Sequence, residues 1–142
     1  MLGVIAAVPT PVNKYGEPII KTFLSHCAWV LQNGCDGINI LGSTGEACSF
    51  DLNDRKKIME SAVQTLDKKK LMVGTGTPSL SETIKLTEIA DDLGYKVALV
   101  LPPFYYKPVT DDGIFTWYQT LHKMLGNRKI KVYFYNFPQM TG

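Results

Sequence analysis

The sequence predicts an α/β fold built on a parallel sheet. Three observations carry that expectation. Short apolar runs alternate strictly with helical segments, giving the order βαβαβαβαβ with units of roughly 30 residues, the usual size of a βαβ crossover. The runs are mostly continuous rather than alternating, as strands covered on both faces read. The polar and glycine-rich clusters ("PTP", "GSTGE", "TGTPS", "PPFYYKP", "YNFP") all follow strands, whereas "NGCD" and "GNRK" are plain turns. Parallel α/β folds place their chemistry at the C-terminal ends of the strands.

The first strand is "GVIAAV", Gly3 to Val8, closed by Pro9. A helix follows over 19–32, with Asn33-Gly34 as its stop. "GINIL" (37–41) is the second strand, and the second helix spans 51–66 behind Asp51 as N-cap and Asp54 as a first-turn acid. "LMVGTG" (71–76) is the third strand. Ser81 is expected to cap a third helix ending at Gly94. "VALVL" (97–101) is the fourth strand, stopped by Pro102-Pro103. The fourth helix covers 111–125 and ends at Gly126-Asn127. "IKVYFY" (130–135), interrupted by Lys131, is the fifth strand.

The 142 residues, 45% hydrophobic, suffice for one ordinary core. The net charge of +2 is spread over both signs without a polybasic block, which argues against nucleic acid or a membrane surface as partner. Lys68-Lys69-Lys70 reads as a solvated turn. Cys27, Cys35 and Cys48 show neither CxxC spacing nor pairing with histidine, so they read as small hydrophobes in a reducing compartment, and the protein is expected in the cytoplasm. The apolar N-terminus lacks a basic segment and is broken by Pro9 and Pro11, so it reads as a strand rather than a leader. No metal site is expected: His26 and His122 lie on helices without a second ligand nearby. Met59, Met72 and Met124 read as core fillers, and Trp29 and Trp117 as packing residues.

The Gly-Ser-Thr-Gly-Glu run at 42–46 is the first candidate for chemistry. Its glycines allow a sharp turn and close approach to a ligand, and successive N–H groups can form a nest for an anion. The hydroxyls of Ser43 and Thr44 add donors, so a carboxylate or phosphate is the natural guest. No Gly-Lys-Ser/Thr follows, so it is not a Walker loop, and "GTGTPS" lacks the third glycine of a dinucleotide fingerprint. Glu46 reads as a first-turn acid bracing the loop. The Phe104-Tyr105-Tyr106 cluster reads either as a subunit contact or as a rigidly held phenol. Tyr135, at the end of the fifth strand, points toward the site region. Two architectures stay open on these grounds: a doubly wound, flavodoxin-like anion-binding domain complete at five strands, or part of a (β/α)8 barrel, which needs about 250 residues.

"GSTGEA", "PPFYYKP" and "YNFPQMTG", with the opening "GVIAAVPTPV" and "YGEPI", resemble the signature segments of the dihydrodipicolinate synthase / N-acetylneuraminate lyase family in order and spacing. The resemblance implies the N-terminal five strands and four helices of a (β/α)8 TIM barrel, with 1–142 as one incomplete barrel domain. It implies a carbon–carbon lyase or aldolase acting on pyruvate or another 2-oxo acid through a lysine Schiff base, with no cofactor and with self-association. By resemblance, Ser43, Thr44 and Gly45 hold the pyruvate carboxylate and Tyr135 is the acid/base phenol. Thr44 links Tyr135 to Tyr105, which reaches across a dimer interface.

Two departures from the family pattern matter. The family's lysine lies on a sixth strand, and none of the lysines here matches it, so the nucleophile is expected beyond Gly142 and residues 1–142 alone are expected to be inactive. The family's synthases carry an arginine two residues after the proline of "YN.P..TG", where Met140 stands here. Methionine cannot bind a carboxylate in bidentate fashion. The expectation is therefore a 2-oxo acid lyase or aldolase. The alternative is 4-hydroxy-tetrahydrodipicolinate synthase, condensing pyruvate with aspartate semialdehyde.

Overall fold

A computed structural model describes residues 1–141. The elements are β1 (Ile5–Ala7), α1 (Ile20–Gln32), β2 (Gly37–Ile40), α2 (Leu52–Thr65), β3 (Leu71–Gly74), α3 (Leu80–Leu93), β4 (Val97–Val100), α4 (Asp111–Leu125), β5 (Lys131–Phe134) and the single turn α5 (Pro138–Thr141). All five strands are parallel and stand in the order β1-β2-β3-β4-β5. A doubly wound sheet must reverse direction at a switch point. This sheet never does, so it is an arc of a singly wound (β/α)8 barrel.

Two contacts show how strongly the arc curls. Strands β2 and β5 stand three strand spacings apart, about 14 Å in a flat sheet. Yet the Ser43 hydroxyl, beyond β2, lies 2.9 Å from the Tyr135 phenol, beyond β5. The Met1 ammonium likewise donates to the Tyr133 phenol at 3.1 Å, joining the two ends of the sheet. Alternation along each strand divides the faces. Ile38, Ile40, Leu71, Val73, Ala98 and Val100 lie in the core beneath the helices. Asn39, Met72, Gly74, Val97, Leu99 and Tyr133 are out of phase with them and line the concave side.

The helix faces follow the sequence. α1 buries Phe23, Cys27 and Val30, and α2 buries Ile58, Met59 and Ala62, at the i, i+3, i+4 and i+7 spacings of an apolar stripe. Asp51 caps α2 as expected, accepting from the Asp54 N–H at 2.8 Å, and Gly94 ends α3 in the left-handed region. The expectation for Ser81 is corrected. Ser79 is the cap of α3, its hydroxyl accepting from the Glu82 N–H at 3.3 Å. Ser79-x-x-Glu82 is the spacing of a capping box, and Ser81 already lies within the first turn. Strand β3 is shorter than expected, ending at Gly74; the Thr75 N–H still donates to the Leu99 carbonyl at 3.3 Å, and the Thr77 N–H turns to the Thr83 hydroxyl at 3.0 Å. Met59 and Met72 are buried, whereas Met124 is exposed, as is Trp29.

Both sheet edges are open. Beside β5, an apolar groove of about 1030 Å³ runs between that strand and α4, lined by Ile114, Tyr118, Leu121, Val132 and Phe134 among others. A closed barrel covers this face with its next strand and helix. No helix among the described residues is long and apolar enough to cross a membrane.

Two predictions follow from this packing. A Cβ at Gly74 would collide with the Leu41 carbonyl oxygen and crowd the Gly42 Cα at 3.0 Å. Gly74→Ala should cost about 1–3 kcal/mol, read as a lower urea midpoint. Burial pushes the Cys27 thiol from 9.0 to about 12, and burial raises the Tyr95 phenol further. An unfolded chain sheds the Cys27 proton near pH 9 while the folded chain keeps it. Stability should therefore be complete below pH 9 and fall as pH rises toward 12. Urea midpoints between pH 8 and 10.5 check this, and Cys27→Ala should flatten the slope.

Candidate active site

The site forms where β2 hands over to α2. Strand β2 ends at Ile40, and Leu41 then turns left-handed (φ 53°) while remaining buried. Glu46 is also left-handed (φ 49°). Each such non-glycine residue costs about 1–2 kcal/mol, and strain of this kind clusters at ligand sites. Between them the chain folds tightly: the Glu46 N–H donates to the Ser43 carbonyl at 3.1 Å, and the Ala47 N–H to the Gly42 carbonyl at 3.4 Å. Ala47–Ser49 form a short 3-10 turn, and buried Phe50 anchors the exit toward Asp51. Glu46 thus shapes the loop through its backbone at the head of this turn. Its side chain makes no capping bond, contrary to the expectation of a first-turn acid.

Gly45 is a glycine because of crowding. A Cβ there would stand 3.1 Å from the Val8 carbonyl oxygen and 3.2 Å from the Leu41 nitrogen. Gly74 at the end of β3 and Gly76 just beyond it play the same steric part, against Leu41 and Leu101, which explains "GTGT" without any nucleotide.

Tyr135 comes to the site from one residue past β5. Its N–H donates to the Val100 carbonyl at 3.0 Å, and its ring stacks on Phe137 at 5.4 Å. Its phenol meets Ser43. Behind it, the Tyr118 hydroxyl donates to the same Val100 carbonyl at 2.7 Å, and the Tyr118 ring packs on Phe134 at 4.4 Å. Burial pushes the Tyr118 phenol up to about 12. Tyr118 thus stays protonated as a brace for the end of β5.

The expected residues are partly brought together. Ser43 and Tyr135 line one cavity of about 180 Å³ with Gly42, Glu46, Phe104 and Met140. Leu41, Leu99 and Leu101 give it an apolar wall. The Thr44 side chain is exposed, and among the described residues its hydroxyl makes no hydrogen bond. Tyr105 is 72% exposed, standing edge-on to Tyr106 at 5.0 Å and bonded to neither Thr44 nor Tyr135. Within one chain, then, the phenol of Tyr135 pairs with Ser43 rather than with a Thr44–Tyr105 relay.

Among the described residues, no lysine lines this cavity, and Glu46 is the only charged side chain that does. Among the described residues, no three His, Cys, Asp or Glu side chains gather as a metal site. Sequence reasoning missed the apolar wall, Cys48 at the rim and Arg55 behind it. Only Arg55 carried a signal, as a cation placed in phase with the buried stripe of α2.

The profile of the Dihydrodipicolinate synthetase family matches residues 1–142. The chain belongs to this family. It is 35% identical over 140 residues to the 4-hydroxy-tetrahydrodipicolinate synthase of Coxiella burnetii, covering 98% of this chain and 47% of that one. Its fold superposes on the crystal structure of dihydrodipicolinate synthase from Agrobacterium tumefaciens with a TM-score of 0.93 at 30% identity, covering 99% of this chain and 50% of that one. It also matches YagE, a prophage protein of the dihydrodipicolinic acid synthase family from E. coli K12 solved with pyruvate. There the TM-score is 0.88 at 27% identity, covering 98% and 46%. The chain spans about half the length of these relatives. Family membership and strand order together establish the five strands as the N-terminal part of a (β/α)8 barrel.

The Ser43–Tyr135 pair gives a direct test of the site's construction. Tyr118→Phe removes the brace at Val100 while leaving the cavity lining intact. The Tyr135 ring resonances should shift and broaden in NMR spectra, and stability should fall by about 0.5–1.5 kcal/mol.

Proposed function

We propose that this chain forms the N-terminal half of the active site of a carbon–carbon lyase or aldolase acting on pyruvate or another 2-oxo acid. The observation that carries the reading is the 2.9 Å pairing of the Tyr135 phenol with Ser43 over the strained anion-binding loop. Ser43, Thr44 and Gly45 present hydroxyls and backbone N–H groups to the 2-oxo acid carboxylate. A lysine amine, contributed from outside residues 1–142, attacks the C2 carbonyl to give a carbinolamine. Loss of water then gives the imine. The carbinolamine oxygen needs a proton to leave as water, and Tyr135 delivers it. A phenol that delivers a proton is held in place by a hydrogen-bonded partner, and Ser43 is that partner. The imine withdraws electrons from C3, where the carbon–carbon bond forms or breaks. Support for pyruvate comes from its presence in the YagE complex.

Met140 bears on the second substrate. It lines the cavity beside Tyr135 and offers no charge. This favours an acceptor without a carboxylate at that point, hence a lyase or aldolase over the synthase. The name of the Coxiella relative favours the synthase instead, and both share the imine chemistry. The 72% and 80% exposures of Tyr105 and Tyr106 suit a contact between copies of the protein. The three free thiols suit a cytoplasmic setting.

Borohydride reduction in the presence of pyruvate tests the reading on the polypeptide expressed from its complete gene. The expected result is one reduced pyruvyl adduct on a lysine outside residues 1–142, seen by peptide mass mapping. Absence of any lysine adduct would sink the mechanism. Tyr135→Phe should slow trapping by about 10²-fold while pyruvate affinity changes little. Met140→Arg should raise activity toward aspartate semialdehyde relative to uncharged aldehydes, measured as a ratio of kcat/KM values.

A further inference from the structure

Arg55 is a buried charge that the mechanism above does not use. It lies on the first turn of α2 with its side chain turned under the sheet, 3% exposed. One Nη2–H donates to the Gly74 carbonyl at 3.0 Å, and the Nε–H has no partner. Among the described residues, no carboxylate forms an ion pair with it. Burial lowers its pKa, and Cys48 and Glu82 are the groups whose charge acts the other way. A buried cation without a direct ion-pair partner, with Glu82 acting only from a distance, is costly, and a well-packed apolar side chain of similar size is often at least as stable there.

The surroundings say what could compensate that charge. Gly74, whose carbonyl Arg55 holds, and Cys48 both line the 180 Å³ cavity with Ser43. The guanidinium therefore stands directly behind the cavity wall with little water to screen it, where a charge acts across protein more strongly than across solvent. The lining itself is neutral except for Glu46, which repels an anion. The loop supplies hydrogen-bond donors but no net positive charge.

We infer that Arg55 is the counter-charge of the anion held by the Gly42–Gly45 loop, a positioning residue that attracts the carboxylate through the Gly74 wall without touching it. The inference rests on the reading of that loop as a 2-oxo acid carboxylate site. It assigns to α2 the electrostatic half of recognition, while the loop keeps the hydrogen-bonding half.

Titration calorimetry with pyruvate and with its uncharged methyl ester, on the polypeptide expressed from its complete gene, tests the assignment. Arg55→Met should weaken pyruvate binding by about tenfold, leave methyl pyruvate binding unchanged and not lower the thermal midpoint. Arg55→Lys, which keeps the charge but not the fork, should retain pyruvate affinity within about threefold. Should the Met variant not fold, the Lys variant decides. Equal losses for Lys and Met, or equal losses for pyruvate and its ester, would make Arg55 a mere brace and overturn the assignment. Undiminished pyruvate binding by Arg55→Met would do the same. Failure of the unsubstituted protein to bind pyruvate would overturn the carboxylate reading itself, and this assignment with it.

Discussion

The close approach of the Leu41 carbonyl to the bare Cα of Gly74 is the constraint on which the site depends. Leu41 must leave β2 in a left-handed conformation, and its carbonyl then has nowhere to go but over β3. Only a residue without a side chain at position 74 admits it. That contact directs the chain inward, so that Gly42 and Ser43 enter the concave side of the sheet instead of running straight into α2. On the helix side of the sheet, Arg55 donates to the Gly74 carbonyl at 3.0 Å.

Curvature supplies the rest. A flat five-stranded sheet would leave Ser43 and Tyr135 far beyond hydrogen-bonding reach. Rolled into an arc, the sheet sets the ends of β2 and β5 opposite each other. The concave side carries small residues at Ala7, Gly37 and Gly74 beside larger ones such as Met72, Leu99 and Tyr133. The cost of the arc is two unpaired edges and an apolar groove along α4 and β5. Open edges of this kind invite further strands. The face closed by α1 to α4 is well buried, whereas β5 remains largely exposed, so the packing is complete on one side of the arc only.

Much of this was legible in the residues. The alternation of apolar runs with helical stripes located the five strands and the helices α1 to α4 to within a few positions, because burial on both faces of a parallel strand and on one face of a helix leaves distinct periods, whereas the single turn α5 left no such mark. The caps at Asp51 and Gly94 were legible as local chemistry. The mistaken cap at Ser81 was a choice between two serines, and the Glu82 three residues after Ser79 held the answer. Met124 misled because a methionine on a helix carries no mark of which face it lies on when the stripe is broad. Glu46 misled because its left-handed backbone is imposed by the turn around it, which its own identity does not announce.

The sequence by itself determined the periodic elements, the direction of the sheet and the hydroxyl-rich loop after the second strand. It did so because these depend on neighbours within a few residues. The tertiary structure alone decided that Ser43 and not Thr44 meets Tyr135, and that a guanidinium without an ion pair among the described residues lies behind the loop. Those facts join residues up to 92 positions apart. They depend on how far a sheet curls and on which side chains are left room inside it, and no local pattern carries that information.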